Sequence, residues 1–256
     1  MIDAYCHCGV SKYLPVTNVL KVMESAGVDR AVLVQHMGEL DNTYLSEVIT
    51  EHPDRFAGVG LVDPLADWQS ALASLLDSGC FQGLRIVTDT LSSQSELCAT
   101  ALDLGLALIV YVDKSISSAV GPIQRLVAGR KSATVVLSHL GAPRFEQGHL
   151  VGGWEVLELA TEPSVYVTLS GQSMYCTYPY PPLDEFVTEL IQSFGTDRIM
   201  WGSNFPVCGD AAVYQRDLAL IRPGAWGLTS SKIDQILNTT AERVWFQGQM
   251  EFKSNV

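Results

Sequence analysis

The chain has 256 residues, of which 47% are apolar and 17% are charged. Disordered chains are poorer in apolar residues, so this composition predicts a folded protein. The formal net charge is -12, from 16 basic and 28 acidic residues. Nucleic-acid binding needs a basic surface that displaces counterions, and an anionic membrane repels an acidic chain. The charge therefore argues against nucleic-acid and membrane partners.

No stretch of about 18 apolar residues predicts a transmembrane helix. The start, Met1–Ala4, lacks the basic and then apolar pattern of a signal peptide. A chain of this length builds a core without disulfides, so we expect free thiols and a reducing, cytoplasmic compartment. The six cysteines are Cys6, Cys8, Cys80, Cys98, Cys176 and Cys208.

Short runs rich in Val, Ile and Leu recur along the chain without clean polar alternation. Such runs are typical of strands that are buried on both faces of a parallel sheet. Eight strands are predicted: Ile2–Ala4, Arg30–Gln35, Phe56–Val62, Gly83–Val87, Ala107–Val112, Thr134–Leu140, Val165–Leu169 and Arg198–Trp201.

Between these runs, apolar residues recur at the three- and four-residue spacing of an amphipathic helix. The predicted helices are Leu14–Ala26, Thr43–Ile49, Trp68–Leu76, Leu97–Leu104, Pro122–Val127, Trp154–Leu159, Leu183–Phe194, Ala211–Ile221 and a last one over about 231–245. The segment 92–95 is predicted to be a polar loop.

Eight alternations of strand and helix in about 256 residues fit a single parallel (β/α)8 TIM barrel over residues 1–256. The alternative is an open doubly wound sheet, which usually has a Gly-rich first loop. Here the first strand leads instead into Cys6-His7-Cys8-Gly9.

In this barrel the active site lies at the carboxyl ends of the strands, so polar residues there are candidates. The period of two along a strand puts Tyr5 and His7 on one face and Cys6 and Cys8, as packing residues, on the other. Burial of an unused His is costly, so His139 after its apolar strand is also a candidate. Hydrogen-bonded interior residues are the structural alternative. Further polar residues end or follow the predicted strands: Gln35, His36, Asp63, Thr88, Asp89, Tyr111, Asp113, Ser138, Ser170, Ser203 and Asn204.

Arg85 is a cation within an otherwise apolar strand. Its guanidinium could hold a substrate carboxylate with two hydrogen bonds. A structural ion pair with Asp63 or Asp113 is an equal alternative.

Several segments resemble one family. Ile2-Asp3-Ala4-Tyr5-Cys6-His7 resembles the opening D-x-H-x-H of the amidohydrolase superfamily. Residues 198–206, Arg-Ile-Met-Trp-Gly-Ser-Asn-Phe-Pro, are similar to the strand-8 G-S-D-x-P segment of its amidohydrolase-related branch. The strand-6, strand-5 and strand-4 segments of that branch resemble Val136–Gly141, Gly105–Tyr111 and Phe81–Arg85. The resemblance implies a barrel enzyme related to sugar lactonases, 2-pyrone-4,6-dicarboxylate lactonase and decarboxylases.

The sequence departs from the metal-binding pattern of that branch. Where metal-dependent members commonly carry His or Asp ligands, this chain has Tyr5, Tyr111 and Asn204, and only His7 and His139 match. Two imidazoles fall short of the three protein ligands usual for catalytic zinc. We therefore expect no metal cofactor. A zinc site with atypical ligands, His7, His139 and Asp113, remains the alternative, and the resemblance includes a lactonase type that works without metal.

The sequence thus predicts a metal-independent hydrolase of a small carboxylated lactone or related carbonyl compound. Either His7 or His139 would be the general base. Tyr5, Tyr111 and Asn204 would donate hydrogen bonds to the carbonyl oxygen, and the proposed substrate-binding residues are Arg85, Gln35, His36, Asp113 and Ser170. A decarboxylase of the same fold and a non-catalytic binding barrel are the alternatives.

The expected partner is a small, anionic substrate. The oligomeric state stays open, a homodimer being the commonest assembly. Aromatic residues in the loops Gly141–Gly153 and Gly171–Pro182 could form a lid or a subunit contact.

Overall fold

The structure is a computed structural model that describes residues 1–247. Eight parallel strands follow one another around a sheet in chain order, which confirms the predicted (β/α)8 barrel. The strands are β1 (Ile2–Cys6), β2 (Arg30–Val34), β3 (Phe56–Gly60), β4 (Phe81–Val87), β5 (Ala107–Tyr111), β6 (Val135–Leu137), β7 (Val165–Leu169) and β8 (Ile199–Trp201). The predicted domain runs on to residue 256, so residues 248–256 lie outside the described part.

Helices cover the outside of the barrel, as predicted. The α-helices are α1 (Val16–Ala26), α2 (Thr43–Glu51), α3 (Trp68–Asp77), α4 (Thr88–Ser93), α5 (Ser95–Asp103), α6 (Ile116–Val127), α7 (Asp184–Phe194), α8 (Ala211–Leu218), α9 (Ser230–Asp234) and α10 (Thr240–Trp245). Across residues 1–247, none of them is long and apolar enough to cross a bilayer.

Two apolar clusters hold the layers together. The inner cluster fills the barrel with strand residues such as Val32, Val59 and Ile109, and Trp245 of α10 joins it. The outer cluster packs the other strand faces against the helices and includes Cys6 and Cys8, in agreement with their predicted role. Because the strands are buried on both faces, they lack polar alternation.

A bulge in β1 sets the direction of the first site residues. Between Asp3 and Cys6 the strand uses one residue more than β2 does opposite it. Ala4 and Tyr5 consequently both belong to the inner cluster, while Cys6 belongs to the outer one.

Several local predictions were wrong. Strand β6 ends at Leu137 rather than at residue 140, because His139 and Leu140 have the positive φ angles of a left-handed turn. Residues 92–95 are not a loop, since α4 runs to Ser93 and α5 begins at Ser95. The segment after β6, including His149, forms an antiparallel hairpin of Arg144–Glu146 and His149–Gly152.

Three helices also differ from their predictions. Helix α6 begins at Ile116, six residues before Pro122, which it accommodates in its interior. The segment Trp154–Thr161 is a 3-10 helix. The last predicted helix is helical throughout, but a π-helical turn over Gln235–Thr239 joins α9 to α10.

The contact between β1 and the chain after β8 closes the barrel. Asn204 donates its backbone N–H to the carbonyl of Tyr5 at 2.8 Å, and the N–H of His7 is bonded to the carbonyl of Phe205 at 2.8 Å. The buried Asp3 carboxylate accepts the N–H of Ser203 at 2.8 Å and its hydroxyl at 2.6 Å. This contact, hereafter the 3–205 seam, brings Tyr5, His7 and Asn204 together.

Candidate active site

His7 lies at the carboxyl end of β1 and is almost fully buried. Its Nδ1 is 2.6 Å from the carbonyl oxygen of Val34. A carbonyl only accepts, so Nδ1 carries the proton and the neutral ring keeps its lone pair on Nε2. Burial and then the charge of Arg85 hold the pKa of His7 well below its usual range, although its bonds to Val34 and Asn204 oppose this.

His139 follows β6 and is also buried. Its backbone is left-handed, with φ of 52°, a conformation that is costly outside glycine and is found at functional sites. Ser170 fixes it, accepting its backbone N–H at 3.2 Å and contacting Nδ1 at 3.0 Å. Burial and the charge of Arg85 lower the pKa of His139 to about 3, so the ring is neutral at ordinary pH.

Tyr5 lies between the two histidines. Its ring centroid is 5.1 Å from that of His7 and 4.8 Å from that of His139, in edge-to-face contacts. Its hydroxyl is buried, and none of the described residues is a partner at hydrogen-bond distance, although Ser138 is close enough to lower its pKa slightly. Burial raises the pKa of Tyr5 to about 12, so the phenol stays protonated and can donate.

Arg85, on β4, is 6% exposed and its guanidinium lies near the rings of Tyr5 and Tyr111, at 5.8 and 5.4 Å from their centroids. One nitrogen donates to the carbonyl of Gln35 at 2.7 Å, while Nε has no partner in the part of the chain that the structure describes. Within residues 1–247 it forms no ion pair, so neither Asp63 nor Asp113 neutralises it.

The other predicted residues take different places. Tyr111 and Ser170 contact His139. Gln35 uses its backbone carbonyl for Arg85, and its side chain braces the loop after β2 by bonding the His36 N–H and the Asp41 carbonyl.

Of the three remaining predicted residues, two are buried and one lies on an exposed loop. Asn204 is buried with a left-handed backbone, and its amide contacts the sulfur atoms of Met174 and Cys208. His36 is buried and meets the ring of Tyr13. Asp113 is exposed on the loop after β5, and in the described chain it makes none of the contacts of this cluster.

Sequence reasoning missed Tyr13. This residue, in the loop after β1, stacks on His7 with 5.0 Å between centroids and 18° between planes. Its loop position carried no pattern that could reveal this. Thr88, after β4, was noted by its position but given no role; it is buried, and its hydroxyl has no partner among residues 1–247.

The loop after β7 contacts both the site and helix α8. Tyr175 donates its hydroxyl to the carbonyl of His139 at 3.0 Å. Farther along, the hydroxyl of Tyr180 donates to the carboxylate of Asp217 on α8 at 3.0 Å, and Arg216 pairs with the same carboxylate. Tyr175 therefore packs against the site and Tyr180 against α8, whereas Tyr178 is 39% exposed.

Comparisons with known proteins agree with this architecture. A model of the amidohydrolase family matches residues 14–247. An L-fucono-1,5-lactonase of Burkholderia ambifaria is 28% identical over 198 residues, 73% of this chain and 68% of that protein. A putative 2-pyrone-4,6-dicarboxylic acid hydrolase from Pseudomonas putida has a similar fold, with a TM-score of 0.76 at 20% identity over 95% of this chain and 96% of the other. A zinc-bound amidohydrolase from Burkholderia multivorans also gives 0.76 at 20% identity, over 95% and 98%.

The fold and the buried cluster at the strand ends are those of a barrel enzyme. The chain belongs to the amidohydrolase family, in the branch that includes lactonases.

The donor set of this chain does not fit the metal that a zinc-bound neighbour contains. Residues 1–247 offer no group of three or more His, Cys, Asp or Glu side chains that could hold an ion. The charge of Arg85 lies close enough to the two histidines to lower the pKa of both rings. The same charge opposes binding of a cation there.

Proposed function

We propose that this enzyme hydrolyses a small lactone that carries a carboxylate, and that it does so without a metal ion. The observation that carries the proposal is Arg85, a buried cation without a carboxylate partner, next to two neutral imidazoles. A buried charge is costly unless it is paired, so a substrate carboxylate would complete the site.

His7 is the general base. Its hydrogen bond to Val34 leaves Nε2 as the basic nitrogen and fixes the orientation of the ring. Nε2 takes a proton from water while the water oxygen attacks the lactone carbonyl carbon. When the tetrahedral intermediate collapses, the ring C–O bond breaks and His7 returns the proton to the leaving alkoxide. The product is a hydroxy acid.

Tyr5 stabilises the negative charge that forms on the carbonyl oxygen. Its hydroxyl is buried, protonated and unpartnered, so it can donate to this oxygen without first breaking another hydrogen bond. Tyr111 and Asn204 are further donors around the same space. One such donor is typically worth about 2.7–4 kcal/mol of transition-state stabilisation.

Substrate binding would strengthen the base. After burial, the charge of Arg85 is a cause of the low pKa of both histidines. A carboxylate bound to the guanidinium cancels part of that charge and raises both pKa values. His7 is therefore a better base when substrate is present than when the site is empty.

The relatives support the substrate class. One is named as a lactonase and another, similar in fold, as a putative hydrolase of a dicarboxylic acid. Decarboxylation, the alternative within this fold, is disfavoured if the reacting carboxylate sits on Arg85, because the guanidinium stabilises the charge that must be lost.

The decisive experiment is hydrolysis of a panel of lactones with and without a carboxylate, followed by acid release and by CO2 detection. Protein dialysed against EDTA and checked for metal content should hydrolyse the carboxylated lactones at an undiminished rate. His7→Asn keeps a donor for the Val34 carbonyl but removes the base, so turnover should stop. Release of CO2, or activity that returns only with added Zn or Mn, would refute the proposal.

Compartment and assembly remain predictions. A reducing, cytoplasmic compartment is still the one that we expect. A homodimer is the assembly we expect.

A further inference from the structure

A cavity of about 240 Å³ opens beside Arg85, on the side of the barrel formed by β2, β3, β4 and the loops that follow them. Arg85 lines this cavity and also faces the rings of Tyr5 and Tyr111. Arg85 therefore borders both the catalytic cluster and the cavity, and its Nε is buried with no partner in the described part of the chain.

The walls of this cavity are mostly apolar. The apolar residues that line it include Met37 and Leu40 after β2, Leu61 and Val62 after β3, and Ile86 and Val87 on β4. Its polar lining includes Asp63, in the loop after β3. The carboxylate of Asp63 accepts the N–H of Leu65. Asp63 would repel a second negative charge on the substrate. An apolar group of the substrate would instead be removed from water by contact with the apolar walls.

We infer that this cavity is a subsite for an uncharged, apolar substituent of the substrate, attached to the carboxylate that Arg85 binds. This inference rests on the proposed function, because it uses the same anchor. The size is suitable, since an apolar cavity of about 150 Å³ is enough to hold benzene. A phenyl group or a branched aliphatic group is the class of substituent that fits.

The test measures binding rather than turnover, with acetate and benzoate as probes. The ring signals of His7 and His139, followed by NMR during titration, give the dissociation constants of even weak ligands. Because burial of a phenyl ring is worth about 1.5–3 kcal/mol, benzoate should bind roughly 10- to 100-fold more tightly than acetate. Equal affinities would overturn the inference.

Variants locate the subsite. Met37→Trp places a large side chain at the cavity and should bring the two affinities within about threefold of each other, with acetate binding unchanged. The matched control is Leu65→Trp, at a nearby position that is 84% exposed and does not line the cavity, and it should preserve the preference for benzoate. If Met37→Trp also preserves it, the phenyl group binds elsewhere and the inference fails.

Two further results separate this inference from the proposed function. Arg85→Gln should abolish binding of both acids, and retained binding would refute the carboxylate anchor on which the proposed function depends. If Met37→Trp also stops binding acetate, the same two affinities are measured with Leu40→Trp on the cavity rim. Leu40 is half-exposed and tolerates a larger side chain. A lost benzoate preference in that variant supports the subsite, and a retained one overturns it.

Discussion

The carboxylate of Asp3 in the 3–205 seam should make stability depend on pH in an unusual direction. Asp3 is completely buried and forms no ion pair within residues 1–247, and burial raises its pKa from 3.8 to about 6, against the effect of its bonds to Ser203. A raised folded-state pKa means that the folded protein binds the proton more tightly than the unfolded chain. Ionisation of Asp3 therefore costs stability as pH rises from about 4 through 6.

The size of this effect follows from the two pKa values. Linkage with 3.8 in the unfolded chain and about 6 in the folded protein gives a loss of about 2 kcal/mol between pH 4.5 and 7.5. Asp3→Asn removes the ionisation and keeps the shape of the side chain. Relative to this variant, the wild-type protein should become less stable by that amount across the window.

Urea unfolding at several pH values measures the difference, with the midpoint and slope giving the free energy of unfolding. The control is Asp77→Asn, which changes an exposed carboxylate at the end of α3. Its difference from wild type should stay constant over the same window. A constant difference for Asp3→Asn as well would refute the reasoning, because it would mean that Asp3 titrates alike in both states.

Three further predictions concern the site and the seam. Arg85→Gln removes the charge that helps to hold down the pKa of His139, so NMR titration should show that pKa moving upward from about 3, and a downward move would contradict the electrostatic argument. Tyr5→Phe should lower kcat by roughly 10²–10³ with little change in folding, as measured by steady-state kinetics and circular dichroism, and an unchanged kcat would exclude Tyr5 as the donor. In Gly202→Ala the new Cβ would lie 2.6 Å from Cβ of Tyr5, so the seam must separate at a cost of about 1–3 kcal/mol in urea unfolding. Gly9→Ala, whose new Cβ would lie no closer than 3.7 Å to Tyr13, should instead be neutral or slightly stabilising.

The barrel could be predicted from the sequence because each strand is a short apolar run. Its length and its lack of the three- and four-residue spacing of apolar residues distinguish it from a helix. The positions of His7, His139 and Arg85 followed from the rule that strand ends meet at one edge of a parallel sheet. The β1 bulge could not be predicted, since an extra residue in one strand depends on its neighbour and leaves no local pattern. The early end of β6 was missed for a similar reason, because the left-handed backbone of His139 and Leu140 is imposed by tertiary contacts.

Contacts within the site were harder to foresee than positions. Whether Arg85 pairs with Asp63 or Asp113 depends on side-chain directions that the sequence does not encode, and the structure pairs it with neither. Tyr13 lies in a loop without periodicity, so its stacking on His7 had no signal.

The 3–205 seam has a consequence for how the molecule acquires activity. Residues on its two sides are about 200 positions apart in the chain, yet they place three side chains of the same pocket. During synthesis on a ribosome, a nascent chain cannot assemble the pocket until the segment that ends at Phe205 has emerged. Fragments that stop earlier should lack the pocket however well their first strands and helices form, and the onset of ligand binding during refolding would report barrel closure.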